Sequence, residues 1–220
     1  MILFPSADPS DLTQNQYAST NKGRHVYLLE DHESFRMIIE KVLTVHGFIV
    51  HAFENPYDFL SLKSIEAPAV IVTDMRMPKM NGVELQAEIA ARGKQIPFVF
   101  ISGEASLDQG LKAMKQGAIE FLIKPFDIDE LMKAVVKGFE QDIRHSNLLL
   151  LNKKQEDNLA KLTKRERDIY GLLLKSYNNN ELAEATGLTI NTIKDYKAKV
   201  MEKMGVKTLA DLIRQNSEIK

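Results

Sequence analysis

The chain has 220 residues, enough for two modest domains, and its composition and formal net charge of −1 are those of an ordinary globular protein. It contains no cysteine, which excludes disulfides, thiolate metal sites and cysteine nucleophiles. No apolar run approaches the ~18 residues of a membrane span, and Met1–Pro5 is too short for a signal-peptide core. We therefore expect a cytoplasmic protein without a membrane partner. The histidines show no ligand spacing, so we expect structural or solvated roles for His25, His32, His46, His51 and His145.

Charge is distributed unevenly along the chain. Residues 1–158 carry 17 Lys/Arg against 22 Asp/Glu, a net of −5, whereas residues 159–220 carry 12 against 8, a net of +4. This asymmetry indicates an acidic first domain and a basic second domain that alone meets a polyanion, although chance variation in a small domain would look the same.

The first 23 residues are rich in Ser, Thr, Asn, Gln and Asp, and we predict a disordered tail at 1–23. From Arg24 onward, short apolar runs alternate with amphipathic stretches at helical spacing. The apolar runs are His25–Leu29, Phe48–Ala52, Ala69–Thr73, Phe98–Ile101 and Ile119–Ile123. Five such units predict an α/β fold, a doubly wound five-stranded parallel sheet with helices on both faces.

Polar residues stand where several of these strands end. Asp74 follows the third run directly, Glu30 and Asp31 follow the first, and Ser102 and Lys124 follow the last two. Open α/β sheets place their chemistry at this edge, although an Asp after a strand also serves as a helix N-cap. Three converging carboxylates repel one another unless a divalent cation lies among them, and Mg²⁺ suits hard oxygen ligands. The hydroxyl and the ammonium would then receive the oxygens of a phosphoryl group on Asp74.

These motifs resemble the CheY-like receiver domain of two-component response regulators over residues 24–143. The resemblance implies four roles: phospho-acceptor Asp74, switch hydroxyl Ser102, switch aromatic Phe121 and invariant lysine Lys124. It implies four Mg²⁺ ligands: the carboxylates of Glu30, Asp31 and Asp74 and the backbone carbonyl of Arg76. Two departures are mild, because Glu30 stands where the family usually has Asp and Ser102 where Thr is commoner.

The last predicted receiver helix has no clear end. Its apolar stripe continues through Ile128, Leu131, Val135, Phe139 and Ile143. We predict a linker at 144–158 that is either loose or a helical extension pairing with a second copy as a coiled coil. Gly138 and a broken register near Asn147 argue against a regular coiled coil.

Residues 159–220 are predicted to form a small all-α domain. Thr163 with Glu166 three residues later is a capping box. A short helix at Glu181–Ala185 precedes a longer one that Thr189 caps, and each ends at a glycine. This spacing predicts a helix-turn-helix, although a generic helical bundle has the same pattern.

The second domain resembles the LuxR-type DNA-binding domain, and its pairing with a receiver resembles the NarL/FixJ class. Three segments favour the FixJ branch: Asp74–Pro78, Val200–Met204 and Thr208–Ile213. The chain departs from the family at Asn180, where Lys is usual, and at Tyr196-Lys197, where His-Arg is usual. The missing turn Lys removes one expected phosphate contact.

The recognition helix has an inward and an outward face. Ile193, Val200 and Met204 should pack inward, which leaves as DNA-contacting residues Thr189, Thr192, Lys194, Asp195, Lys197 and Lys199. Lys194 would meet guanine or phosphate and Asp195 would accept from cytosine. A merely solvated charged face has the same composition.

Three functions are compatible with these motifs. In the first, a histidine kinase phosphorylates Asp74, and the protein then forms a homodimer and binds operator DNA, with RNA polymerase as a further candidate partner. In the second, the chain is a phosphatase or phosphotransferase. Arg76 argues against it. Phosphatases of the haloacid dehalogenase type hold a general acid two residues after the nucleophile, and the arginine at that position here cannot release a proton near neutral pH. In the third, the chain binds partners without phosphate, which the complete acidic set disfavours. We favour a transcriptional regulator whose only catalysis is self-phosphorylation and self-dephosphorylation.

Two charged residues are predicted to cover the mouth of the phosphorylation pocket. Arg76 and Glu104 each lie two residues after a strand-end residue of the pocket. An ion pair there would obstruct the attack of water on the phosphorus. This arrangement predicts a long-lived phosphorylated state, unless both side chains point to solvent.

Overall fold

The structure is a computed structural model that describes residues 21–103 and 107–217. The chain divides into two compact units, Met1–Arg144 and His145–Lys220. Among the described residues, the first unit has two hydrophobic cores and the second unit has one.

The folded part begins earlier than the sequence pattern indicates. Asn21 is buried, its Nδ2 donates to the carbonyl of His46 at 3.0 Å, and its Oδ1 accepts from Arg24 Nη1 at 2.9 Å. The predicted tail is therefore too long at its C-terminal end, because a partner 25 residues away holds Asn21. Residues 1–20 lie outside the described residues.

The first unit is built on the predicted parallel sheet. Its strands are β1 (His25–Leu29), β2 (Ile49–Phe53), β3 (Ala69–Asp74), β4 (Phe98–Ser102) and β5 (Glu120–Ile123). They lie in the order β2-β1-β3-β4-β5 and all pair in parallel. β1, β3 and β4 are buried along their whole length, which explains their continuous apolar runs.

Within residues 21–103 and 107–217, five helices follow the strands in alternation. They are α1 (Glu33–Val45), α2 (Pro56–Leu60), α3 (Gly82–Ala91), α4 (Leu107–Lys115) and α5 (Ile128–Ala160). The side chains of Asn55 and Asn81 accept backbone N–H groups at the starts of α2 and α3. Strand residues alternate between two cores. One core contains apolar residues of α1 and α5, and the other contains those of α2, α3 and α4.

Helix α5 continues without a break through residues 144–158, and the boundary between the two units falls inside it. Of the two alternatives for this stretch, the structure has the helical one. Pairing of the helix with a second copy stays a prediction. Although α5 has 33 residues, no helix within 21–103 and 107–217 is long and apolar enough to cross a membrane.

Gly138 allows α5 to approach the sheet closely. A Cβ at this position would lie 2.9 Å from Val70 Cγ2 and 3.2 Å from its Cγ1. The glycine that interrupts the predicted coiled-coil pattern is thus explained by packing of the helix on β3.

Replacing Gly138 with Ala is expected to destabilise the protein. Overpacking costs about 1–3 kcal/mol, against which the better helix propensity of Ala returns about 1 kcal/mol. Gly171 is the matched control, because an added Cβ would meet no heavy atom within 4 Å beyond its chain neighbours and the backbone of its own helix. Its change to Ala should stabilise. Urea unfolding of both variants measures the difference. Equal effects at the two glycines would contradict the packing explanation. Val70→Ala removes buried contacts and destabilises by itself, but Gly138→Ala should cost less in a Val70→Ala background than in the wild type.

In the second unit, the residues that the structure describes form four further helices around one core. They are α6 (Lys164–Leu174), α7 (Asn179–Thr186), α8 (Ile190–Met204) and α9 (Leu209–Ser217). The predicted capping box of Thr163 with Glu166 is present. Left-handed glycines end α7 and α8, at Gly187 (φ 70°) and Gly205 (φ 69°), as the pattern predicts.

The start of α7 differs from the prediction. The helix begins at Asn179 rather than Glu181, because the side chain of Asn178 accepts the N–H groups of Asn180 and Glu181. Glu181 completes a capping box by accepting the N–H of Asn178 at 2.7 Å. The polar stretch that resembles a turn therefore contains a helix N-terminus.

An ion pair joins α6 to α8 in the second unit. Lys203 Nζ lies 2.6 Å from Glu166 Oε2 and also donates to the carbonyl of Lys161. The hydrogen bond from Lys203, with that from the backbone N–H of Thr163, lowers the pKa of Glu166 from 4.5 to about 2. Folding therefore stabilises the ionised form of Glu166 relative to its protonated form.

This pair makes the second unit sensitive to acid. Its stabilisation is fully present above pH 4.5 and is lost as the pH falls from about 4.5 to about 2. In Lys203→Met, protection of α6 and α8 amides should be lower at pH 7 and should decline less between pH 5 and pH 2. Hydrogen exchange of the full chain, corrected for its intrinsic pH dependence, measures this. The exposed Lys207→Met is the control, and equal acid sensitivity in wild type and Lys203→Met would contradict the assignment.

Candidate functional site

The structure brings the predicted pocket residues together at the carboxyl edge of the sheet. Asp74 ends β3, Ser102 ends β4, and Glu30 follows β1. Their exposed fractions are only 7%, 2% and 1%. Strand register aligns Asp74 with Ile101 one residue before Ser102, so that the two ends lie side by side.

Lys124 connects two of the carboxylates. Its Nζ lies 2.8 Å from Glu30 Oε2 and 2.9 Å from Asp74 Oδ2. The backbone of the same residue is fixed, because its N–H donates to the carbonyl of Ser102 at 2.7 Å. The other carboxylate oxygen of Asp74 accepts the N–H of Arg76 at 3.0 Å. The carboxylate of Asp74 is thus oriented by one ammonium and one backbone N–H.

Burial dominates the electrostatics of Glu30. Its pKa is raised because the side chain is withdrawn from water, and the hydrogen bond from Lys124 opposes that rise. The negative charge of Asp74 raises it further. The net rise therefore reflects the cost of burying the Glu30 carboxylate, because the effect of Lys124 outweighs the repulsion from Asp74.

The acidic pair offers the ligand atoms of a metal site. Ligand atoms of Glu30, Asp31 and His32 all lie within 4.8 Å of one another. His32 Nδ1 is 3.1 Å from Asp31 Oδ1, and the charge of Asp31 is the main cause of the raised pKa of His32. The carboxylate oxygens fit Mg²⁺, which prefers oxygen ligands. The contribution of Asp74 and of the Arg76 carbonyl stays a prediction.

Three residues of α1 and its N-terminus touch this pocket, and the sequence pattern does not single them out. The first is His32, whose Nδ1 lies 3.1 Å from Asp31 Oδ1. Arg36 Nη1 donates to the backbone carbonyl of Glu30 at 2.6 Å and to that of Asp31 at 3.4 Å. Phe35, whose spacing suggests only a core position, has its ring centroid 3.9 Å from Lys124 Nζ. The sequence signal that could have indicated a role for Arg36 and Phe35 is their position about one helical turn after Glu30 and Asp31.

The predicted switch aromatic lies on β5. Phe121 is half-buried and packs at the margin of one core of the first unit. A Cβ added to Gly110 of α4 would lie 3.7 Å from its ring, so the ring faces α4. Arg76 is exposed, whereas Glu104 lies outside the described residues. The predicted Arg76–Glu104 pair stays a prediction.

Helix α8 presents the predicted DNA-contacting residues. Ile193, Val200 and Met204 are buried, as expected. The remaining face contains three exposed charges and two half-buried side chains: Lys194, Asp195 and Lys199, with Thr192 and Lys197.

Two threonines fix the start of this helix. Thr189 Oγ1 accepts the N–H of Thr192 at 3.3 Å, and the two hydroxyls lie 2.8 Å apart. Lys199 Nζ lies 5.9 Å from the ring centroid of Tyr196, the residue that stands where His is usual. The cap of Thr189 thus satisfies a backbone N–H at the start of the helix that exposes Lys194.

Comparison with known families matches both units. Residues 26–136 match the family described as "Response regulator receiver domain", and residues 160–215 match "Bacterial regulatory proteins, luxR family". The chain is a response regulator of the NarL/FixJ class. This response regulator is a DNA-binding transcriptional regulator.

Individual relatives agree with this assignment over nearly the whole chain. Response regulator protein TodT of Pseudomonas putida F1 is 28% identical over 99% of this chain and 95% of its own. Transcriptional regulatory protein FixJ of Rhizobium meliloti 1021 is 29% identical over 86% of this chain and 93% of its own. A solved structure of the response regulator StyR is 31% identical, covers 89% of this chain and 99% of its own, and has a TM-score of 0.78.

Proposed function

We propose that this response regulator accepts a phosphoryl group on Asp74 from a sensor histidine kinase, forms a homodimer and binds operator DNA. The observation that carries the proposal is the contact of Lys124 Nζ with Asp74 Oδ2 at 2.9 Å. It joins a reactive carboxylate to an ammonium that can receive phosphoryl oxygens. Residues 24–143 would act as receiver, 144–158 as linker and 159–220 as DNA-binding domain.

Phosphoryl transfer needs few groups from the protein. A carboxylate oxygen of Asp74 forms the new O–P bond while the N–P bond of a phosphohistidine breaks, and its electron pair returns to the imidazole. Lys124 and Ser102 would bind the oxygens of the transferred group. Later attack of water on phosphorus breaks the O–P bond, releases inorganic phosphate and restores the carboxylate.

A bound Mg²⁺ would be held by the carboxylates of Glu30, Asp31 and Asp74 and by the carbonyl of Arg76. The chemistry that it supplies is charge neutralisation at the phosphoryl oxygens. Arg36, which binds the carbonyls of Glu30 and Asp31, would keep the acidic turn in place while the ligand set forms.

The phosphoryl group would change the surface that meets a second copy. It adds a charge of about −1.5 to −2. The side chains of Lys124 and Ser102 would move toward this charge to neutralise it. Movement of Ser102 frees space for Phe121 to turn inward, because Ser102 and Phe121 lie on neighbouring strands. This turn would remodel the face formed by α4 and β5, which we propose as the dimer face.

The DNA-binding role follows from the second unit. We propose that Thr189, Thr192, Lys194, Asp195, Lys197 and Lys199 contact the major groove and the adjacent phosphates. A dimer would place two recognition helices on a two-fold operator, with RNA polymerase as a further candidate partner. Because operator DNA lies in the cytoplasm, we propose that location for the protein.

Phosphate uptake tests the proposal directly. The wild type, given acetyl phosphate and Mg²⁺, should take one acid-stable, hydroxylamine-labile phosphate, which Phos-tag gels detect. Asp74→Asn, which keeps the size of the side chain, should take none, and EDTA should abolish uptake by the wild type. Equal labelling of wild type and Asp74→Asn would refute Asp74 as the acceptor.

A further inference from the structure

The ammonium of Lys124 has a third partner besides the two carboxylates. Its Nζ lies 3.9 Å from the centroid of the Phe35 ring. The ring is itself fixed, because it meets Phe126 edge to face at 6.3 Å and 89°. The Lys124 side chain is only 18% exposed. A cation held over an aromatic face and withdrawn from water is attracted by the negative face of the ring.

The three partners differ in what happens when the pocket is occupied. The carboxylates of Glu30 and Asp74 are oxygen ligands, and in the proposed function they turn to a divalent cation and to the phosphoryl group. An aromatic ring is not a ligand for a hard cation. The contact with Phe35 is therefore the one that Lys124 need not give up when the pocket is occupied.

We propose that Phe35 is a positioning residue for phosphoryl transfer, whose ring face holds the Lys124 ammonium at the rim of the pocket. The inference rests on the proposed function of Asp74 as phospho-acceptor. Without the ring, the released ammonium would extend into solvent and would reach the phosphoryl oxygens less often. An ammonium preorganised where charge develops lowers the barrier without reorganisation during the reaction.

Fluorinated phenylalanines separate this role from simple packing. Each ring fluorine withdraws electron density from the ring face but changes the size of the side chain little. A packing role predicts nearly constant behaviour across mono-, di- and trifluorophenylalanine at position 35. A cation–π contact predicts a steady loss with each fluorine. Phe48, whose ring stacks on Phe139 at 5.4 Å, is the matched control for fluorination of the core.

Two measurements on the full chain test the inference. The first is the rate of phosphate uptake from acetyl phosphate with Mg²⁺, in which Asp74 forms an O–P bond and acetate departs with the electron pair. We expect this rate to fall steadily along the fluorine series, and by about twofold to thirtyfold in Phe35→Leu. Phe35→Tyr, which keeps the ring, should retain the wild-type rate, and fluorination of Phe48 should leave it unchanged.

The second measurement uses the metal-free protein. A ring face 3.9 Å away should shift the proton resonances of the Lys124 ammonium upfield, and Phe35→Leu should remove this shift. If the wild type takes phosphate but neither the uptake rate nor the Lys124 resonance changes along the fluorine series or in Phe35→Leu, the inference about Phe35 is wrong. The proposed function would not be affected by that result. A wild type that takes no phosphate would overturn the proposed function and this inference together, before any change at Phe35.

Discussion

Replacing Lys124 with Met is expected to destabilise the metal-free first unit by about 3–5 kcal/mol, because removing one partner of a buried ion pair leaves the other uncompensated. Lys124 contacts two carboxylates, and the side chains of Glu30 and Asp74 are only 1% and 9% exposed. Met fills a similar volume without the charge. Urea unfolding at pH 8 with EDTA measures the loss.

Two comparisons make this expectation specific. Lys137→Met removes an ion pair in which the side chain of Lys137 is 58% exposed and that of Glu120 is 43% exposed. This change should cost only about 0–1 kcal/mol of stability. Adding Glu30→Gln to Lys124→Met should recover part of the stability. Mg²⁺ should stabilise Lys124→Met more than the wild type, because the cation replaces the missing positive charge. Equal losses in Lys124→Met and Lys137→Met would contradict the buried-pair account.

Lys194→Ala is expected to weaken operator binding by about 1–3 kcal/mol if Lys194 contacts a base, with relaxed preference at one position. The side chain is exposed on α8, one turn after the N-terminus that Thr189 caps. A phosphate contact would instead weaken binding to operator and random DNA equally and would lower the salt slope by about one. An operator selected from random-sequence DNA provides the probe.

Lys154→Ala is the charge-matched control for this experiment. Lys154 is exposed on α5, outside the helix-turn-helix. Its removal should leave the preference between operator and random DNA unchanged. If Lys194→Ala affected neither kind of DNA, the assignment of α8 as the DNA-contacting helix would be wrong.

Much of the pocket was predictable because strand ends are local signals. A buried apolar run identifies a strand, and parallel pairing brings the ends of neighbouring strands to one edge. Asp74 and Lys124 can therefore be brought together across 50 residues of sequence. The glycine ends of α7 and α8 were predictable for the same reason, since a left-handed residue favours glycine wherever it occurs.

The remaining features depend on partners that the local sequence does not reveal. Phe35 has the spacing of a core residue, and only the fold places its ring beside Lys124. The sequence around Asn21 has the composition of a disordered tail, and only the fold places the carbonyl of His46 next to its side chain. Likewise, the pattern of α5 allows a loose linker, because helical spacing in a polar segment does not decide whether the helix persists.

Sedimentation velocity of the phosphorylated full chain tests the central proposal most directly. The phosphate content of each sample is measured on Phos-tag gels, and Asp74→Asn and Phe121→Ala are carried in parallel. The account predicts a dimer for phosphorylated wild type, a monomer for Asp74→Asn, and a phosphorylated monomer for Phe121→Ala. A fully phosphorylated wild type that sediments like the unmodified protein would contradict it.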